Sequence, residues 1–238
     1  TNMDSMFYGA ESFNQPLNKW KVGNITNMSK MFYDAKLFDQ SLNKWNVSNV
    51  TTMEHMFSGA ESFNQPLNKW NVSNVTDTHG MFWGARLFNK SLNKWNVSNV
   101  KDMNTMFIGA ESFNQPLNTQ QVTVNGNTYT AWDVSNVINM HHMFFNAKSF
   151  NQPLDEWDVS NVKDMQLMFC HAESFNQLLD EWDVSNVTNM TRMFDNAISF
   201  NQDISNWNKS DIDDKNMFVG AVLMEEKHKP IVYHLFQN

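Results

Sequence analysis

The chain has 238 residues, 41% of them hydrophobic and 18% charged, with a formal net charge of −8. That apolar content suffices for one large core or two ordinary domains and excludes wholesale disorder. A single cysteine rules out an internal disulfide framework, the apolar runs are too short for a membrane-spanning helix, the first residues are not expected to act as a charged-then-apolar secretory leader, and the acidic balance gives nucleic acid no general electrostatic reason to bind.

Met, Phe and Trp are over-represented, with 17, 19 and 9 copies, and a repeat explains the excess. The pair Met-Phe begins at Met6, Met31, Met56, Met81, Met106, Met143, Met168, Met193 and Met217, so the interval is 25 residues except for one of 37 and a last one of 24. Eight of the nine Trp fall in one column of this register, from Trp20 and Trp45 to Trp207. A period of 25 lies in the leucine-rich-repeat range, where stacked repeats share a continuous core.

In chain order, each repeat predicts the same elements. Asn27 opens a short helix as its N-cap, in a column that holds Asn2, Thr52, Asp77, Asp102, Asn139, Asp164, Asn189 and Asp214 elsewhere, all able to accept bonds from free N–H groups. Met28, Met31, Phe32 and Ala35 follow at i, i+3, i+4 and i+7, the stripe of a helix of about two turns, for which a 3₁₀ segment is equally allowed. The column before that Ala reads Gly9, Asp34, Gly59, Gly84, Gly109, Asn146, His171, Asn196 and Gly220, residues that enter φ > 0 cheaply, and is read as the helix C-cap. After Phe38 the chain returns to Leu42-x-x-Trp45-x-Val47, the spacing of a short strand with Trp and Val turned inward. Asn24, Asn49, Asn74, Asn99, Asn136, Asn161 and Asn186, with Asp211, then suggest a ladder of amides bonding repeat to repeat. The twelve extra residues at about 119–131 carry Asn125-Gly126 between two β-prone runs and predict a projecting type I′ hairpin that pairs Val122 with Tyr129. Past Ala221 the register dissolves, and residues 222–238 are expected to cap the last repeat.

These elements predict one repeat domain over residues 1–221. The expected fold is an α/β solenoid, a right-handed leucine-rich-repeat-like stack of about eight to nine coils with a parallel β-sheet on one face and short α or 3₁₀ helices on the other. Runs such as Trp45-Asn-Val-Ser-Asn-Val-Thr and Met56-Phe-Ser-Gly-Ala-Glu-Ser-Phe-Asn-Gln-Pro-Leu resemble the 25-residue repeats of BspA-like leucine-rich-repeat surface proteins, the type abundant in mycoplasma lipoproteins. The resemblance implies a surface or interaction protein. Because Thr1-Asn2-Met3 falls inside a repeat, a cap, signal or lipid-attachment cysteine is expected upstream of Thr1.

With the inward columns spent on packing, function is expected in the outward ones. The residue before each Trp reads Lys19, Lys44, Lys69 and Lys94 before the insertion and Glu156 and Glu181 after it, and the residue following Trp becomes Asp133, Asp158 and Asp183. Residues 1–119 carry 10 basic and 9 acidic side chains (net +1), and residues 120–238 carry 7 and 16 (net −9). These columns, with Tyr129 between them, form the candidate partner-binding surface. Inherited, solvated charge is the plainer reading of the same pattern. Glu156, Asp158, Glu181 and Asp183 have oxygens for a hard cation such as Ca²⁺, although a solvated acidic patch is favoured. No cofactor, catalytic set or metal set is expected: His141-His142 reads as a surface pair pointing in different directions on a helix, Cys170 as a lone unreactive thiol, and no phosphate loop or nucleophile elbow occurs. Eleven Asn-x-Ser/Thr sequons, several on structural columns, argue mildly against a eukaryotic secretory route. The expected function is a non-enzymatic interaction or adhesion module with a protein partner at a cell surface or outside the cell. The alternative is an assembly component, in a virion or inside a cell, that stacks on other copies or subunits.

Overall fold

The computed structural model describes residues 1–207 and 213–230. Among them are two strands, β1 (Gln120–Val124) and β2 (Asn127–Ala131), paired antiparallel, and one 3₁₀ turn, Glu226–His228. The α/β solenoid, with its parallel sheet and its rank of short helices, is therefore not what the chain builds. The Asp211 and Asn208 positions and residues 231–238 of the expected cap lie outside the described residues.

The segment expected to be helical is a run of overlapping four-residue turns. Met31, Tyr33 and Ala35 donate their N–H groups to Met28, Lys30 and Phe32, three residues back, at 3.3, 3.1 and 3.1 Å. The residues between them turn outward: Lys30, Phe32 and Asp34 donate to the carbonyls of Glu54, Met56 and Ser58 in the next repeat, at 2.8, 2.9 and 2.7 Å. An α-helix directs every interior N–H back to its own segment, four residues earlier; here alternate ones leave the segment for the next repeat. Left-handed residues make that alternation, with φ +54° at both Lys30 and Asp34, and a right-handed helix cannot contain them. Met28, Met31, Phe32 and Ala35 are nevertheless fully buried, so the turns present the same inward spacing as a helical stripe would.

Two columns of the repeat are left-handed throughout. The one read as a C-cap has positive φ in all nine repeats, from Gly9 (67°) to Gly220 (72°), so its composition reports backbone conformation correctly although no helix ends there. The other holds Ser5, Lys30, His55, Gly80, Thr105, His142, Leu167, Arg192 and Asn216 and shows no residue preference. A non-glycine residue there costs on the order of 1 kcal/mol, offset by its hydrogen bond to the next repeat.

The column read as N-caps makes the expected type of bond in a different setting. Asn27 Oδ1 accepts from the Ser29 N–H at 2.8 Å, and Asn2, Asp77, Asp102, Asn139, Asp164 and Asn189 do the same two residues on. Each initiates the run of turns and forms a single-residue parallel bridge with its counterparts, from Asn2–Asn27 to Asn189–Asp213. In the last repeat Asp213, not Asp214, holds this place, because the final interval is one residue short.

The predicted strand is also absent. Trp45 N–H donates back to the Leu42 carbonyl at 2.9 Å and so closes a turn. The Trp column does a different job: Trp45 Nε1–H crosses to the Leu17 carbonyl of the preceding repeat at 3.0 Å, and Trp70, Trp95, Trp132, Trp157, Trp182 and Trp207 repeat the bond. Beside them the Met-Phe phenylalanines form one stacked row with ring centroids 5.4 to 5.8 Å apart between neighbours, from Phe7–Phe32 to Phe194–Phe218. Phe13, Phe38, Phe63 and their successors form a second row 5.9 to 6.1 Å apart. Offset ring pairs add roughly 0.5–1.5 kcal/mol each beyond the area they bury.

Two amide ladders join the repeats. Asn49, Asn74, Asn99, Asn136, Asn161 and Asn186 donate Nδ2–H to backbone carbonyls of the preceding repeat at 2.7 to 2.9 Å, but they do so at the exposed surface. A second ladder runs along the Phe-Asn-Gln stretch and is better buried. Asn89 Oδ1 accepts from the Asn114 N–H at 3.1 Å and from Gln115 Nε2 at 2.9 Å, and the same pair of bonds recurs at Asn14, Asp39, Asn114, Asn151 and Asn176. Asn201 continues it onto the C-terminal segment, accepting from the Glu225 N–H at 2.9 Å.

The insertion forms the β1–β2 hairpin, with Val122 opposite Tyr129. Its turn has φ 52° at Asn125 and 83° at Gly126, the two positive values that a type I′ turn needs.

The two ladders differ in what substitution exposes. Asn89→Ala strips the acceptor from a half-buried backbone N–H and should cost about 1–3 kcal/mol in urea unfolding, whereas Asn74→Ala frees a carbonyl that water reaches and should cost less than about 1 kcal/mol. Trp95→Phe removes one of the two donors to the buried Leu67 carbonyl, which keeps the Trp70 N–H, and shrinks a fully buried ring; the lost packing should make it match or exceed Asn89→Ala.

Candidate functional site

The outward columns are where the sequence places them with respect to solvent. Lys19, Lys44, Lys69, Lys94, Glu156, Asp158, Glu181 and Asp183 are exposed and Asp133 is half-buried. The Asp and Asn of the second column have a local backbone role. Asp133 and Asp158 each accept from the N–H and the hydroxyl of the Ser two residues on, at 3.1 and 2.6 Å and at 3.0 and 2.6 Å. Asp183 accepts from the Ser185 N–H at 2.9 Å, and hydrogen bonds from Ser185 hold its carboxyl below the usual range. Asn46, Asn71 and Asn96 make the equivalent bond. This turn chemistry explains a column confined largely to Asn and Asp. Among the described residues, the carboxylates at 156, 158, 181 and 183 are not gathered three to a site.

The hairpin does not project. Tyr129 donates its hydroxyl to the Lys94 carbonyl at 2.5 Å, and Val122 and Tyr129 rest against the core. Burial pushes the Tyr129 hydroxyl pKa up. Leaning back in this way, the hairpin closes a cleft of about 270 Å³, with Lys69, Trp70, Asn71, Lys94 and Asn96 on one side and Val124, Asn125, Thr128 and Tyr129 on the other. The fold thus brings Lys69, Lys94 and Tyr129 together and leaves Lys19, Lys44 and the acidic residues outside the cleft.

Two histidine clusters lie along the run of turns. His141 and His142, expected to diverge on a helix, have ring centroids 3.9 Å apart, and His141 Nδ1 stands 3.7 Å from Asp164 Oδ2. His142 Nδ1 is buried without a hydrogen-bond partner, and burial, followed by the neighbouring His141, lowers the His142 pKa to about 4. The second cluster, Glu54, His55 and His79, was not singled out from the sequence. One ligand atom of each lies within 4.8 Å of the others. Its signal was positional: Glu54 and His79 are 25 residues apart, one period, and so occupy the same column of adjacent repeats.

Cys170 is buried and free, and burial raises its thiol pKa to about 12. Among the described residues no helix is long and apolar enough to cross a membrane.

The recurrence of one backbone unit along the chain has a counterpart among protein families. The model of a family described as "Mycoplasma protein of unknown function, DUF285" matches residues 1–121 and again 118–229, and the chain belongs to this family of repeat proteins. The two matches meet at the start of β1. No curated protein and no solved structure matches the chain.

The half-buried His142, whose Nδ1 is cut off from water, should make stability depend on pH. The unfolded chain binds this proton near pH 6.5 and the folded chain only near about 4, so between those values the unfolded state carries more protons and stability falls as pH is lowered. His142→Gln should flatten that decline in unfolding curves measured from pH 6.5 to 4. The Cys170 thiol should resist an aromatic disulfide reagent at pH 8 in the native protein and react fully in denaturant.

Proposed function

We propose that the chain is a non-enzymatic protein-interaction module that takes an acidic segment of a partner against its Lys-bearing face. The observation that carries this reading is the cleft between the hairpin and the face, into which Lys69 and Lys94 bring positive charge beside the half-buried ring of Tyr129. Two like charges beside one concavity favour an anionic occupant, and an aromatic side chain at its wall supplies apolar contact that salt scarcely screens. The acidic half of the chain, net −9 over residues 120–238, would repel the same occupant and fix its orientation. The resemblance to BspA-like surface repeats supports placing the module at a cell surface or outside the cell, with adhesion as its role.

The test is the binding of Glu-rich peptides to the immobilised chain at low and at physiological salt. Lys69→Glu with Lys94→Glu should slow association by about tenfold and flatten its salt dependence, and Tyr129→Ala should chiefly quicken dissociation. Peptide binding indifferent to both changes would refute the cleft as the docking surface, and persistent oligomers at high concentration would favour an assembly component.

A further inference from the structure

We propose that Glu54, His55 and His79 form a binding site for a divalent transition-metal cation, with Zn²⁺ its representative. The three are assembled by the backbone: His55 donates its N–H to the His79 carbonyl at 2.8 Å, and Glu54 sits one repeat before His79 in the same column. One carboxylate and two imidazoles make a donor set that suits borderline cations such as Zn²⁺, Ni²⁺ and Cu²⁺ better than Ca²⁺ or Mg²⁺. Their ligand atoms lie within 4.8 Å of one another. An ion with bonds of about 2.0–2.1 Å draws tetrahedral ligands to about 3.4 Å apart, a closure that half-exposed side chains reach by rotation.

Three further features belong with such a site. His55 takes a left-handed backbone conformation, φ 51°, and its ring lies over Gly80, where any Cβ would come within 2.2 Å of Nδ1; a glycine at 80 makes the room that the ring occupies. Nδ1 is buried there without a hydrogen-bond partner, while Tyr33, His79 and Trp83 hold the ring with centroids 5.9, 4.5 and 5.7 Å away. Asp77 Oδ1 accepts from the His79 backbone N–H at 2.9 Å and stands 3.9 Å from its Nδ1, so it adds negative charge beside the site without hydrogen-bonding the ring. Three protein ligands leave at least one position for water or for a ligand atom of a partner.

Lys30 supplies the discriminating test. Its Nζ pairs with Glu54 Oε1 at 3.1 Å and so competes with a cation for the carboxylate. Zinc chloride titrated calorimetrically into the full chain should saturate at one ion per chain with a Kd below about 0.1 mM. His55→Gln and His79→Gln should each weaken binding by about tenfold or more, His141→Gln should leave it unchanged, and Lys30→Met should tighten it, with melting of the ion-free proteins confirming that each variant is folded. A purely structural cluster would show no tightening in Lys30→Met. No saturable binding, binding untouched by the His55 and His79 changes, or an unaltered affinity in Lys30→Met would each overturn the proposal.

Discussion

The backbone bond that leaves its own repeat is the interaction on which everything else depends. In the run of turns from Met28 to Ala35, alternate N–H groups close turns within the repeat and the others reach a carbonyl of the next. That division needs two left-handed residues per repeat, and the rest of the repeat accommodates them. The parallel bridges, the indole bonds and both amide ladders then carry the same step to other parts of the unit. Because each repeat satisfies its polar backbone through its neighbours, an isolated repeat would leave these groups to water, and stability accrues only along the stack.

Equivalent residues consequently stand beside one another. Identical rings give the two phenylalanine rows, identical amides give ladders, and identical charges give the lysine and carboxylate columns. The same rule lets one substitution per repeat create chemistry. Glu54 and His79 meet because they replace each other in one column, and His55 finds its place because the next repeat has Gly80 where a side chain would stand. A site in such a protein is therefore written across repeats rather than along the chain.

The hairpin is the one element that breaks this regularity, and its value lies in where it rests. Antiparallel pairing between β1 and β2 is local, but the bond from Tyr129 to the Lys94 carbonyl ties it to the preceding repeat and closes a cleft between the hairpin and the lysine column. A periodic surface offers many equivalent places to bind; the cleft offers one, with two lysines and an aromatic ring converging on it. The acidic repeats that follow carry another concavity, of about 330 Å³, lined by Leu178, Asp180, Gln202, Asp203, Ser205 and Asn206, and Asp133, Asp158 and Asp183 are engaged in turns.

The amino-acid sequence by itself determined the 25-residue period, the inward columns, the hairpin with its Asn125-Gly126 turn, and the positive φ of the Gly9 to Gly220 column, because each of these depends on side-chain size, polarity or local backbone preference. It did not determine that the units would be turns rather than helices and strands. The spacing of Met28, Met31, Phe32 and Ala35 fits a helical stripe and the turns equally, and the second left-handed column, with Ser5, Lys30 and Leu167 among its members, carries no residue signature because long-range hydrogen bonds, not local preference, hold it there. The half-buried ladder of Asp39, Asn89 and Asn114 lay open in the Phe-Asn-Gln motif yet had no meaning without a neighbouring repeat to donate to it. The cleft beside Lys69 and Lys94 and the cluster of Glu54, His55 and His79 were likewise decided only by the tertiary structure, since which residues of adjacent repeats touch depends on how the repeats are bonded together, and that bonding is not local to any stretch of the chain.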